Sequence, residues 1–285
     1  MKNFLKKILP KSFLSKRLIS TLSLSAALAL PSTAAFAEIR EIKTMAEILP
    51  AVTADSAVVF DLDNTVMAPL QTIGSDQFFG YLKQEAVSHG MPADQAQKWA
   101  LQQVTPIAPV VRERPVETST PRLISALQAK GVPVIALTAR PPEWAQGTLR
   151  QLNSLGVDFQ ATAFRPGQET RGPLGSYTRG IIFMNVGLQK GPVLLAFLKS
   201  LRPNIKSLIF VDDRLPNITS MEEALKGFPI TNINFRYGAL DALVAAFSPA
   251  IAGTEWKCFQ TSRRIVSDVW AQRINSGEAT CESSR

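Results

Sequence analysis

Two carboxylates separated by a single residue, Asp61 and Asp63, close an apolar β-branched run in the stretch VVFDLDNTV at residues 58 to 66. Side chains of an extended chain alternate faces, so a strand carried through Leu62 points both acids one way and Leu62 toward the core. Two like charges side by side are costly. Mg²⁺ is a common remedy, held by one or two carboxylates together with water and phosphate oxygens. Asp61 and Asp63 are therefore a candidate metal and phosphoryl site, against the plainer reading of an acidic pair that caps a turn.

Such a pair needs a framework to hold it. Short apolar runs recur at residues 57 to 63 (AVVFDLD), 132 to 140 (VPVIALTAR), 207 to 213 (SLIFVDD) and 228 to 235 (FPITNINF), and each reads as a buried strand. Helical patterns lie between them at residues 120 to 131, 142 to 156 and 191 to 201. Strands alternating with helices predict an α/β fold, a Rossmann-like, doubly wound and mostly parallel sheet. In such a sheet ligands gather at the carboxyl ends of the strands, where Asp61, Thr138 and Asp212 fall.

The interval from Val66 to about Glu117 breaks this rhythm with two helical patterns and no strong strand between them. It predicts a small helical cap, at about residues 67 to 117, inserted after the first strand and lying over the site. Phe78, Phe79, Tyr81 and Trp99 within it either pack the helices together or meet a leaving group. Residues 174 to 187 have the content of an extended or hairpin segment. Residues 249 to 285 form a C-terminal extension with a helix near Ile265 to Ile274, and Trp256 and Trp270 are expected to anchor it on the core.

Four motifs follow one another in order: VVFDLDNTV, the Thr138 of VIALTAR, the Lys190 of LQKGP, and the Asp212-Asp213 pair of IFVDDR. This is the order of the haloacid dehalogenase-like superfamily, which the chain resembles from about Ala57 to Phe235. The resemblance implies a phosphoryl-transfer enzyme in which Asp61 is the nucleophile and forms an aspartyl-phosphate. Asp63 would act as general acid and then base, and its presence two residues after the nucleophile points to phosphoester hydrolysis. Thr138 would hydrogen-bond a phosphoryl oxygen and Lys190 would supply positive charge. The same resemblance assigns Mg²⁺ to Asp61, the backbone carbonyl of Asp63, and Asp212, with Asp213 acting through a water or by orienting Lys190. Arg140 could fork onto substrate phosphate or pair with an acidic neighbour, and Arg214 carries the same two readings.

The ends and the composition bound the rest. Residues 1 to 37 read as a signal peptide: six basic residues precede the apolar run LISTLSLSAALAL, and Ala35-Phe36-Ala37 offers a cleavage site. The formal charge of +8 then shrinks to about +2, because 25 basic face 23 acidic residues after that segment. Nucleic acid is therefore not an expected partner. Residues 38 to 248 would be the core with its cap. Export, to the periplasm or beyond, would let Cys258 and Cys281 join in a disulfide, and no membrane insertion is expected after cleavage. His89, the one histidine, reads as a helix-end cap and excludes a multi-histidine zinc site. The expected function is an exported Mg²⁺-dependent phosphatase acting on a small phosphomonoester. The alternative is a metal- or phosphate-dependent interaction protein with little turnover.

Overall fold

A computed structural model describes residues 39–283. The predicted signal segment, residues 1 to 37, lies outside them. Ten strands are present among the described residues: β1 (Ile39–Ile42), β2 (Ser56–Phe60), β3 (Met67–Pro69), β4 (Glu113–Pro115), β5 (Val134–Thr138), β6 (Thr170–Gly172), β7 (Gly175–Thr178), β8 (Ile181–Met184), β9 (Ser207–Asp212) and β10 (Thr231–Tyr237). The helices are α1 (Asp76–Ser88), α2 (Ala93–Val104), α3 (Thr120–Ala129), α4 (Ala145–Ser154), α5 (Lys190–Leu201), α6 (Leu215–Leu225), α7 (Asp241–Ala245), α8 (Pro249–Ser262) and α9 (Asp268–Asn275).

Eight strands form one sheet in the order β1-β10-β9-β2-β5-β8-β7-β6. The first six are parallel, and β7 and β6 add an antiparallel extension. The α/β expectation holds. β2 sits between β9 and β5, so the chain winds outward from it in both directions, and the point where strand order reverses is where a ligand crevice opens. Period-two alternation sorts the strand residues. Val58, Phe60 and Leu62 join one core with residues of α3 and α4, while Ala57 and Val59 join a second core with α5 and α6. Burial on both faces is what a continuous apolar strand requires.

The predicted helical insertion is present. β3 and β4 pair antiparallel at its base, and α1 and α2 stand between them. Ser75 caps α1 by accepting the Phe78 N–H at 3.1 Å, and His89 closes it with Nδ1 against the Glu85 carbonyl at 2.8 Å. The C-terminal residues depart from expectation. The helix near residues 265 to 274 is found as α9, but α8 precedes it; α8 packs on the insertion rather than the sheet core, and α9 packs on α8. Ile73, Phe78 and Val104 of the insertion share one apolar cluster with Ala252 and Phe259 of α8. Trp256 packs at 6.0 Å from the Phe78 ring, in the apolar cluster of the insertion and not on the sheet. Trp270 lies in a separate small cluster around Cys258, which is disulfide-bonded to Cys281.

A polar junction fastens this lobe from within. Buried Glu255 of α8 accepts the Ile73 N–H at 2.7 Å, and Asp268 accepts the Thr72 N–H and hydroxyl at 3.0 and 2.7 Å. Burial, and then neighbouring Asp268, pushes the Glu255 carboxyl from 4.5 up to about 9. Between those values the folded chain holds a proton that the unfolded chain has released, so stability falls as pH rises through the window. Glu255→Gln keeps an acceptor for Ile73 and cannot ionise. Urea midpoints measured from about pH 5 to pH 9 should fall less steeply for this variant than for the natural chain. Equal slopes would contradict the assignment.

Candidate active site

The acidic pair sits where β2 ends. The Asp61 N–H still bonds the Val211 carbonyl of β9 at 2.9 Å, one residue beyond the last strand pair, and the chain then turns. Three successive amides, of Thr65, Val66 and Met67, bond the Leu62 carbonyl, and the turn passes through Asn64 at φ 60°. Asparagine is among the few residues other than glycine that hold this left-handed conformation at modest cost. Leu62 points into the core while Asp61 and Asp63 face the crevice, as the alternation requires.

Lys190 joins three separate segments at this point. Its ammonium bonds Asp61 Oδ1 and, at 2.7 Å, Asp212 Oδ2. It is only 3% exposed and opens α5. Gly191 lets that first turn press against α6, since a Cβ there would lie 1.9 Å from the Ser220 carbonyl oxygen. Burial opposes the charge on Lys190, yet Asp212 and then Asp61 hold it above its ordinary range. For Asp61, burial pushes the carboxyl up, Lys190 opposes it, and Asp212, Asp213 and Asp63 add to the rise.

Asp61, Asp212 and Asp213 offer carboxylate oxygens within 4.8 Å of one another. Asp212 is fully engaged, accepting from Lys190, the Arg214 N–H at 2.8 Å, and the Asn217 amide. Asp213 is not: its Oδ1 is buried with no hydrogen-bond partner. Burial, then Asp212, then Asp76, push it up to about 8. Asp212 thus holds Lys190, an orienting role that the resemblance offered as one of two for Asp213. The unpartnered oxygen of Asp213 is the better donor for a cation, and three carboxylates facing one ammonium leave charge that a divalent ion would neutralise. The Asp63 carboxylate is not part of this group.

Asp63 is gripped by Arg140 instead. Both its oxygens accept from the guanidinium, with Nη2 at 2.6 Å from Oδ1 and Nε at 3.0 Å from Oδ2. The remaining N–H groups reach Glu113 at 3.2 Å, Thr148 at 3.2 Å and Gln151 at 2.6 Å. All five donors of Arg140 are thus taken by protein, and the side chain is 8% exposed. Of its two sequence readings, phosphate ligand or partner of an acid, the structure displays the second. Thr138, at the end of β5, is fully buried and its hydroxyl oxygen accepts the Arg140 N–H at 3.1 Å, which leaves its proton to donate. Gln151 also donates to the Ala108 and Val111 carbonyls, tying α4 to the base of the insertion.

A family model described as "Protein of unknown function (DUF2608)" matches residues 38–271. The chain belongs to this family. A Chlamydia pneumoniae protein provisionally described as an outer membrane protein is 24% identical over 236 residues, 82% of this chain and 87% of that one. Among solved structures, the class C acid phosphatase from Bacillus anthracis is 17% identical with a TM-score of 0.34, and the similarity covers 81% of this chain and 83% of that one. A Thermotoga maritima protein provisionally described as a β-phosphoglucomutase is 10% identical with a TM-score of 0.37, covering 67% of this chain and 99% of that one. TM-scores this low leave the site to be argued from this family member's own residues.

Above the carboxylates lies a cavity of about 560 Å³ between sheet and insertion, with Asp63, Asn64 and Asp213 at its floor. Asp61 lies beneath, 5% exposed. Two acids that the sequence did not single out border the site. Asp76, at the start of α1, is pushed up to about 6 by the protein around it and then by Asp63. Glu113, at the start of β4, is pushed up to about 7 by burial, which Arg140 opposes. Arg214 lines the wall, exposed, and its guanidinium makes no hydrogen bond or ion pair among the described residues. Of the four aromatic residues of the insertion, Phe79 lines the cavity, whereas Phe78 is buried against Trp256 and Tyr81 packs on Phe247.

Removing Arg140 would leave Asp63 and Glu113 together without their cation. Arg140→Met should cost about 3 to 5 kcal/mol at neutral pH by urea unfolding, because breaking a buried pair strands the remaining charge. The cost should shrink at pH 5, where Glu113 takes up a proton. Arg140→Lys, with one ammonium in place of a five-donor fork, should recover only some of it.

Proposed function

We propose that this chain is a phosphatase of the haloacid dehalogenase-like kind, hydrolysing a phosphomonoester through an aspartyl-phosphate at Asp61. One observation carries the reading: Lys190 pairs directly with both Asp61 and Asp212, beside the unpartnered oxygen of Asp213, at the carboxyl ends of adjacent parallel strands under a cavity. The four ordered motifs supply the family resemblance.

The residues divide the work. A carboxylate oxygen of Asp61 attacks phosphorus and the ester oxygen leaves in line, so hydrolysis is split into two displacements. Asp63 gives the departing oxygen a proton, then takes one from the water that attacks phosphorus and releases Asp61 and inorganic phosphate. To do so it must turn one oxygen from Arg140 toward the phosphoryl group and carry a proton on it when the ester binds, the proton that the attacking water later restores. Arg140 keeps Glu113, Thr148 and Gln151 as acceptors and so stays in place. Lys190 places positive charge beside the phosphoryl oxygens, and the Thr138 hydroxyl has a proton to offer one of them. Asp61 and Asp213, with the backbone of Asp63, would hold Mg²⁺, while Asp212 fixes Lys190 instead of binding metal. Bound there, Mg²⁺ would screen the negative charge of the phosphoryl group.

Export to an extracytoplasmic compartment accompanies this proposal. The Cys258–Cys281 disulfide, the basic-then-apolar pattern of residues 1 to 37, and the outer-membrane description of the Chlamydia pneumoniae relative all support it.

The test is turnover of an aryl phosphate by purified protein. Activity should require Mg²⁺, vanish with EDTA, and drop by at least about a thousandfold in Asp61→Asn. Full activity in that variant would sink the mechanism. Asp213→Asn should raise the Mg²⁺ concentration needed for half-maximal activity far more than Asp212→Asn does, and the opposite order would return the metal to the sequence-based assignment.

A further inference from the structure

The cavity, about 560 Å³, is larger than a phosphate group needs, and apolar side chains are prominent in its lining beyond the acidic floor. One face of α1 borders it, through Asp76, Phe79, Gly80 and Lys83, which recur at the spacing of a single helical stripe. Asp76 opens α1 and lines the cavity together with Asp63 and Arg214. Beyond it the stripe faces Leu101 and Ile107 of the insertion and Trp144 of the segment leading into α4.

Gly80 decides what this space is for. Glycine is the poorest helix former after proline, and in the middle of a helix it needs a reason. At Gly74 the reason is packing, since a Cβ there would lie 2.7 Å from Val111. At Gly191 it is close approach to α6. At Gly80 a Cβ would meet nothing within 4 Å. Neither a turn nor a neighbour calls for it, and its missing side chain enlarges the cavity between Phe79 and Lys83.

We infer that this space receives the alcohol portion of the ester, and that the alcohol is bulky and mainly apolar. The inference rests on the phosphatase reading and deepens it. A cavity of about 560 Å³ matches sites that bury ligands well beyond the size of a two- or three-carbon phosphate. Phe79, Leu101, Ile107 and Trp144 can hold a ring or branched chain by excluding water, a gain that a two-carbon alcohol is too small to share. Gly80 is a specificity-determining position for the leaving group.

The experiment compares naphthylmethyl phosphate with ethyl phosphate, both esters of primary alcohols, so that intrinsic leaving-group reactivity is similar. The natural chain should favour the naphthylmethyl ester in kcat/KM by at least about tenfold. Gly80→Leu should lower that preference about tenfold, and Gly80→Ala should lower it less. Thermal unfolding of both variants monitors the fold, which a better helix former should preserve. Binding of the matching phosphonates, whose carbon–phosphorus bond is not hydrolysed, is measured in parallel. Preferential binding of the naphthylmethyl phosphonate, weakened in Gly80→Leu, with no turnover of either ester overturns the phosphatase reading and keeps the subsite. Equal kcat/KM for the two esters, or a preference that Gly80→Leu leaves intact, overturns the subsite and keeps the phosphatase. Neither turnover nor binding overturns both.

Discussion

A buried ammonium between two buried carboxylates organises this protein. Lys190 cannot carry its charge in a low-dielectric interior unless Asp61 and Asp212 are within reach, and neither acid is tolerable there without it. The arrangement requires β2 and β9 to pair in one register, and α5 to begin above their carboxyl ends. Gly191 permits the last condition by letting α5 approach α6. A slip of one residue in β2 would send Asp61 into the apolar core and Leu62 into the crevice. The same contacts that gather the acids thus forbid the alternatives to the fold.

Arg140 has a comparable role at the next layer up. Its five donors reach Asp63 at the floor, Glu113 at the base of the insertion, and Thr148 and Gln151 on α4. Gln151 continues the network to the carbonyls of Ala108 and Val111. The helical lobe is therefore fixed at its root by oriented polar bonds, while its body is held by apolar packing. Such directional bonds fix geometry more sharply than area burial does, and the cavity's floor is where geometry matters.

The sheet strands that carry the acids were legible because burial on both faces writes a continuous apolar run. β1 was not: three residues of Ile39–Ile42 are exposed, and its pairing with β10 leaves no periodic trace. α8 had a readable signal in Ser248 before Pro249, a capping residue followed by a proline in the first turn, yet its partner surface on α1 could not be inferred from spacing. At the site, the residue types were legible and their assignments were not. Asp212 and Asp213 are adjacent in sequence, and only the direction of each side chain decides which takes Lys190. Arg140 likewise looks the same on paper whether its donors are free or spent. Glu113, between two arginines in a short polar strand, carried no pattern to mark it as buried.

The union of the C-terminal helices with the insertion has a consequence for the order in which the protein can assemble. The insertion is synthesised early, between β3 and β4, but its apolar cluster is completed by Ala252 and Phe259. Those partners emerge only after every strand of the sheet has been made. Contacts so distant along the chain are among the slowest to form, because loop closure must be met before packing rewards it. The sheet, with Lys190 between its acids, can form before its roof is finished. The packing that backs the α1 side of the cavity is thus a late product of folding, completed only when the far end of the chain has arrived.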